Sequence, residues 1–163
     1  MLSYVKWLLL HFPRMKRLML SAWSIGSADI MYLKRWSENG SIEDIDLLVG
    51  DPFPAIHPME WKKLMEMYDG GLIRNLYRSE IHSKFILIET SGDERIVVES
   101  SANCNMNPRV EQSVVTVSNE LYDFYDNYFS ELFEMEKYAD AHKEMLKFEL
   151  NTPIDESDIL QGQ

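Results

Sequence analysis

Glu80–Glu111 reads EIHSKFILIE, then TSGDE, then RIVVESSANCNMNPRVE. Two apolar runs separated by a short polar break are typical of a β-hairpin. We predict strands over Ser83–Ile88 and Ile96–Val98, a turn centred on Gly92, and then a loop rich in Ser and Asn. This hairpin decides the fold, because it brings the two ends of the stretch together.

Polar residues precede the first strand of the predicted hairpin and follow its second strand. His82 and Lys84 are two residues apart at the head of the first apolar run, so both point to one face of a strand. Ser101 and Asn103 follow the second run, and Glu111 comes shortly after. An imidazole, an ammonium, a hydroxyl, an amide and a carboxylate would then meet. This set predicts a site that handles an anionic phosphate without a metal ion.

Each of these groups has a chemical role that suits phosphate chemistry. An unprotonated imidazole nitrogen can attack phosphorus, and a carboxylate on the other nitrogen fixes the tautomer, so Glu111 is the candidate partner of His82. Lys84 and Asn103 can bind the non-bridging oxygens, and Ser101 can do the same or hold Lys84 or Glu111 in place. The competing interpretation is a surface His and Lys at a strand entry, because H-x-K alone is a weak signal.

The remaining chain alternates between strand and helix patterns, which predicts an α/β fold with a mixed β-sheet flanked by helices. The other predicted strands are Arg17–Trp23, Ile42–Val49, Leu72–Tyr77 and Val110–Val117. The predicted helices begin at Ser27 or Asp29, at Met59 and at Asn119, and the last is long and runs toward Phe148. We predict one domain over residues 1–150 and an acidic flexible tail over residues 151–163.

The net charge of −11 is concentrated near the C-terminus. Residues 119–163 contain twelve acids and three Lys, whereas residues 1–118 contain fifteen acids and thirteen Lys or Arg. The global charge disfavours tight nucleic-acid binding, but a local positive site for a phosphodiester stays possible. We interpret the aromatic residues of the last helix as core and interface rather than as a base-stacking platform.

The N-terminal segment and the single cysteine bear on the cellular location of the protein. Residues 1–17 combine apolar and basic residues but lack the order of a signal peptide, so we expect a core-packing or oligomer-forming segment. Cys104 cannot form an intramolecular disulfide, and we interpret it as a small loop residue rather than a nucleophile. No apolar run suits a membrane-spanning helix, and we expect a cytoplasmic protein without stable membrane association.

The stretch resembles the phospholipase D superfamily motif H-x-K-x4-D-x6-G-S-x-x-N. His82 and Lys84 match the motif fully. Glu89 stands at the Asp position, and Ser100-Ser101 replaces Gly-Ser, although ten residues rather than six separate it from Glu89. Asn103 arrives in the sequence S-A-N, with one residue rather than two between it and Ser101. The resemblance implies a phospholipase D-like half-site fold and a metal-independent phosphodiesterase that works through a covalent phosphohistidine and needs no cofactor. The small single-motif relatives are often nucleases, which favours nucleic acid as the substrate.

Enzymes of this superfamily use two such motifs, and this chain contains one. His57 is followed two positions later by Met59 where a second motif would have Lys. Small members with one motif form homodimers that share one composite active site, so the resemblance implies two copies of His82 across a two-fold axis. Two alternatives stay open: a non-catalytic or regulatory binding protein, favoured by the changes at Glu89 and Ser100, and, less favoured, a phospholipid phosphohydrolase.

Overall fold

The computed structural model describes residues 2–104 and 111–134. The chain divides into two compact units, Met1–Tyr128 and Phe129–Gln163. Of the second unit only residues 129–134 are described, and they are helical. The predicted tail over residues 151–163, and the part of the predicted last helix that runs toward Phe148, lie outside the described residues.

The first unit contains six strands and five helices in its described part. In chain order these are α1 (Ser3–Leu9), β1 (Met15–Ala22), α2 (Ser27–Glu38), β2 (Ile42–Gly50), α3 (Phe53–Ile56), α4 (Pro58–Asp69), β3 (Asn75–Ser79), β4 (Phe85–Thr90), β5 (Arg95–Ser100) and β6 (Ser113–Val117). The fifth helix, α5, covers residues 119–128 within this unit. Of the described helices, none is both long and apolar enough to cross a bilayer.

The six strands form one mixed sheet in the order β3-β2-β1-β4-β5-β6. β1 pairs with β2 and β2 with β3 in parallel, because α2 and then α3 and α4 carry the chain back between them. β4 pairs antiparallel with both β1 and β5, and β5 pairs antiparallel with β6. The predicted α/β fold with a mixed sheet and flanking helices is confirmed.

Several predicted boundaries were wrong by two or three residues. β4 begins at Phe85 instead of Ser83, and β6 begins at Ser113 instead of Val110. β3 begins at Asn75 instead of Leu72, because the backbone amide of Leu72 still bonds the carbonyl of Met67 at the end of α4. The N-terminal segment forms α1, which the sequence analysis had not assigned to a helix.

The larger core lies on the face of the sheet that packs against α1, α2 and α4. Alternate residues of the central strands point to this face because side chains in a strand alternate between its two sides. The fully buried members include Leu18, Leu20, Ile45, Leu47, Ile86, Ile88 and Val98 from the sheet, and Val5, Leu33 and Leu64 from the helices. The N-terminal segment therefore packs into the core, one of the two roles predicted for it.

The other face of the sheet carries a buried ion-pair network centred on Asp46, which is 0% exposed. Its carboxylate accepts hydrogen bonds from Arg17 Nε at 2.7 Å, Arg74 Nε at 2.9 Å and Asn75 Nδ2 at 2.8 Å. Arg17 also donates to Asp126 of α5 at 2.7 Å. Burial by itself raises the pKa of Asp46, but Arg74 and Arg17 outweigh it and hold the pKa below its ordinary value. The network ties β1, β2 and β3 to α5.

Asp46→Asn removes the negative charge at the centre of this network and leaves Arg17 and Arg74 facing a neutral amide. We expect the free energy of unfolding to fall by about 2–4 kcal/mol, near the lower end for a broken buried pair because Arg74 is partly exposed. Urea denaturation at pH 7 measures this change.

The matched control is Glu66→Gln, which removes an exposed ion pair with Lys62 and should leave the urea midpoint unchanged. Since the pKa of Asp46 is lowered, its stabilisation is present above the unfolded pKa and is lost as the pH falls through the folded pKa. The gap between wild type and Asp46→Asn should therefore narrow below about pH 4. An unchanged midpoint for Asp46→Asn at pH 7 would contradict this account of the network.

Candidate active site

His82 and Lys84 lie in the extended segment that leads into β4. Lys84 Nζ is 3.2 Å from His82 Nδ1 and donates a hydrogen bond to the His82 carbonyl at 2.9 Å. The imidazole is exposed and the lysine is half-buried. Partial burial lowers the pKa of Lys84, while the charge of Glu111 acts in the opposite direction. The two side chains are therefore neighbours, as their spacing predicts, although they precede the strand.

The backbone of this segment is held from both sides. Ser21, a fully buried residue of β1, donates through Oγ to the carbonyl of Ser83 at 3.2 Å, and its Oγ lies 3.0 Å from Ser83 Oγ. On the other side, the amide of Ser100 in β5 donates to the carbonyl of Lys84 at 2.9 Å. Ser21 was not among the site residues predicted from the sequence. A hydroxyl in the middle of an apolar strand was the available signal, because buried polar groups need hydrogen-bond partners.

Ser101 and Glu111 form a second contact pair at the same end of the sheet. Ser101 Oγ donates to Glu111 Oε2 at 2.5 Å, and the amide of Gln112 donates to Ser101 Oγ at 3.1 Å. Of the roles predicted for Ser101, the one visible in these contacts is to hold Glu111. The Glu111 carboxylate lies close enough to Lys84 to act on its pKa. Its predicted role as the orienting partner of His82 stays a prediction.

Asn103 lies in a loop that is anchored to the residues after β1. Cys104 forms a bridge with Ile25, its amide donates to the carbonyl of Ser24 at 3.2 Å, and its carbonyl accepts from the amide of Gly26. Asn103 Oδ1 is buried and receives no hydrogen bond from any residue in 2–104 or 111–134. Asn103 is thus held near the residues that follow the carboxyl end of β1.

Cys104 is fully buried, and burial raises the pKa of its thiol to about 12. The thiolate is the nucleophilic form of cysteine, so this side chain stays protonated and unreactive near neutral pH. The structure thus agrees with its interpretation as a small loop residue.

Strand pairing brings all five predicted site residues to one end of the sheet. The segment before β4 lies there because Phe85 pairs with Ser21 near the end of β1 and with Glu99 near the end of β5. Ser100, the last residue of β5, pairs with Ser113, the first of β6. The residues that follow β5 and precede β6 are therefore neighbours of the same segment.

Glu89, the acid of the motif, lies at the opposite end of β4. It pairs with Arg17 of β1, and its carboxylate is 3.9 Å from Lys16 Nζ. Glu89 is therefore a paired residue of the sheet and lies away from the end of β4 that is next to His82.

A cleft of about 450 Å³ opens beside Lys84. Its lining residues all belong to the first unit and are Ser83, Lys84, Phe85, Glu99, Ser100, Phe124, Tyr125 and Tyr128. A larger cavity of about 660 Å³, between α1 and β6, is lined by none of the predicted site residues. Among the described residues, no group of three His, Cys, Asp or Glu side chains is placed to hold a metal ion.

Comparison with known proteins gives matches to solved structures alone. No family model matches the chain, and no curated protein matches it. The crystal structure of polyphosphate kinase from Porphyromonas gingivalis matches with a TM-score of 0.58 and 20% identity, over 78% of this chain and 24% of that one. The yeast tyrosyl-DNA phosphodiesterase 1 H432R mutant matches with a TM-score of 0.37 and 10% identity, over 56% and 22% of the two chains.

The two matches differ in what they support. A TM-score of 0.37 is too low to establish a shared fold, whereas the TM-score of 0.58 with the polyphosphate kinase indicates a similar fold. The chain spans about a quarter of the length of either protein. The fold of this chain is therefore similar to part of that polyphosphate kinase, and at 20% identity the likeness shows the fold alone.

Proposed function

We propose that this chain is a metal-independent phosphodiesterase of the phospholipase D type, acting on nucleic acid, with His82 as the nucleophile. The observation that carries the proposal is the contact between Lys84 Nζ and His82 Nδ1, made at the sheet end where Ser101 holds Glu111. The fold is similar to part of a polyphosphate kinase, a protein whose name records phosphate chemistry, and this is compatible with the proposal. The residues assigned to catalysis are His82, Lys84, Ser101, Asn103 and Glu111.

The reaction follows from these groups in two steps. An imidazole nitrogen of His82 forms a bond to phosphorus as the bond to the leaving oxygen breaks, and a second imidazole gives that oxygen a proton. Water then attacks the phosphohistidine, loses a proton to the second imidazole and releases a phosphomonoester. The Lys84 ammonium and the Asn103 side-chain amide bind the non-bridging oxygens and stabilise the charge that accumulates on them.

The second imidazole is supplied by another copy of the chain. The other described histidines lie elsewhere: His11 stacks on Trp7 after α1, and His57 stacks on Phe53 between α3 and α4. His142 lies outside the described residues. A homodimer with one composite site would place His82 and its copy across a two-fold axis, where the two imidazoles titrate as a coupled pair.

The alternative is a non-catalytic or regulatory binding protein, and the replacement of the motif's Gly by Ser100 is one of the features that favour it. In the structure, Ser100 Oγ lies 2.8 Å from Ser113 Oγ and accepts from the amide of Ala102 at 3.1 Å. The serine side chain is thus accommodated by hydrogen bonds within the turn. This replacement is compatible with a working site, and the turnover assay decides between the two functions. A phospholipid phosphohydrolase is the less favoured alternative.

His82→Ala removes the proposed nucleophile. With bis-p-nitrophenyl phosphate in EDTA, we expect wild-type turnover to persist and the variant to lose at least about 10³-fold in kcat/KM. The matched control is His11→Ala, another exposed histidine, which should retain full activity. Absence of wild-type turnover on this ester and on DNA, RNA and phosphatidylcholine would favour the binding protein. Turnover of phosphatidylcholine alone would identify a lipid substrate.

The composite site predicts how activity depends on subunit composition. If both copies of His82 are required, co-expression of equal amounts of wild type and His82→Ala should leave about one quarter of the wild-type activity, since only wild-type homodimers work. Activity per chain and light scattering on the same samples measure this. About one half of the activity, or an active monomer, would contradict a shared site.

Ser21 is proposed as a positioning residue, because its hydroxyl holds the backbone between His82 and Lys84. Ser21→Ala should lower kcat about tenfold with KM nearly unchanged, and Ser21→Thr, which keeps the hydroxyl, should restore most of the loss. Ser37→Ala removes a similar serine-to-carbonyl bond, to Leu72, and serves as the control with unchanged kcat. Equal kcat losses in Ser21→Ala and Ser21→Thr would show that packing matters rather than the hydrogen bond.

A further inference from the structure

The cleft beside Lys84 has aromatic walls and an open mouth. Phe85 and Tyr125 form its inner wall, with ring centroids 4.5 Å apart. Phe124 and Tyr128 lie on its outer side, 63% and 44% exposed, and stand four residues apart on α5. Side chains at this spacing share one face of a helix, so two rings with exposed surface border the same opening. These two aromatic residues therefore do not belong to the core, and their predicted role in an interface stays a prediction.

The lining of the cleft contains one cation and one carboxylate. Lys84 is the cation, and its Nζ lies 3.2 Å from His82 Nδ1. Glu99 is the carboxylate, and it accepts a hydrogen bond from the Tyr125 hydroxyl at 2.5 Å. Burial and the neighbouring Glu99 raise the pKa of Tyr125 to about 12, so the phenol stays protonated as a donor. A carboxylate in the wall disfavours a second phosphate, so the cleft suits an uncharged part of a substrate whose phosphate lies at Lys84.

The acids of α5 do not make this surface strongly negative. Asp123 pairs with Arg95 at 2.6 Å, and Asp126 pairs with Arg17 at 2.7 Å. Two of the three acids in residues 119–128 are thus neutralised by arginines from the sheet. The excess of acids in residues 119–163 therefore does not make the part of α5 that borders the cleft strongly negative.

We propose that this cleft binds one unpaired nucleobase of the strand whose phosphodiester lies at His82 and Lys84. An aromatic wall next to a phosphate-binding cation matches a base and its adjoining phosphate, because every base offers a flat face for stacking. A volume of about 450 Å³ lies in the range of small-ligand clefts. The inference rests on the proposed function for the position of the phosphate. It selects single-stranded over duplex substrates, since a paired base cannot enter.

The test is a binding measurement that does not depend on turnover. Fluorescence anisotropy in EDTA compares two short labelled DNA strands with non-hydrolysable phosphorothioate linkages, one all-thymidine and one abasic. We expect the thymidine strand to bind the full chain at least about tenfold more tightly than the abasic strand. Phe124→Ala and Tyr128→Ala should each remove most of that difference.

The control is Tyr68→Ala, which truncates an aromatic ring of α4 that is 43% exposed, close to the 44% of Tyr128. It should keep the full preference for the thymidine strand. Circular dichroism of all three variants checks that each is folded. Equal binding of the two strands by wild type, or an intact preference in both cleft variants, would overturn the proposal.

Two further measurements distinguish base binding in the cleft from a dimer interface and from catalysis. Loss of dimer in Phe124→Ala and Tyr128→Ala by light scattering, with the base preference unchanged, would identify the cleft as an interface between copies and overturn the proposal. Turnover of bis-p-nitrophenyl phosphate is measured separately. A base preference without turnover supports the cleft and rejects catalysis, whereas turnover without a base preference rejects the cleft alone.

Discussion

The antiparallel pairing of β4 with β1 is the constraint on which the candidate site depends. Phe85 pairs with Ser21, which places the segment containing His82 and Lys84 at the carboxyl end of the central strand. The same register puts the buried Ser21 hydroxyl within hydrogen-bond distance of Ser83. A shift of one residue would turn every side chain of β4 to the opposite face and would break this contact.

On the face of the sheet opposite the larger core, the electrostatics follow from a few ion pairs. Asp46 is stabilised as a carboxylate by Arg17 and Arg74, and Arg17 extends the network to Asp126 of α5. A buried charge is tolerated only when partners replace its lost hydration, and here two guanidinium groups do so. The net charge of −11 therefore says little about the surface near Lys84, since some of the acids are engaged by arginines of the sheet.

Local patterns predicted the parts of this protein that local physics controls. The β4–β5 hairpin was identified because its apolar runs and polar turn are contiguous, and the H-x-K spacing predicted that His82 and Lys84 would be neighbours. The helix α1 was missed because its residues are apolar on more than one side, so its pattern does not separate a helix from a buried strand. The start of β3 was misplaced, because the hydrogen bond from Leu72 to Met67 prolongs the end of α4 in a way that no local pattern reveals.

By itself, the sequence determined the α/β fold class and supplied the small set of polar residues that we propose for phosphate chemistry. Both depend on residue types and on short spacings, and these can be read directly from the sequence. Only the tertiary structure decided that Ser21 supports Ser83, that Ser101 holds Glu111, that Glu89 lies at the far end of its strand, and that aromatic residues of α5 line a cleft beside Lys84. These contacts join segments far apart in sequence, and their distances are set by strand register and helix packing rather than by the local order of residues.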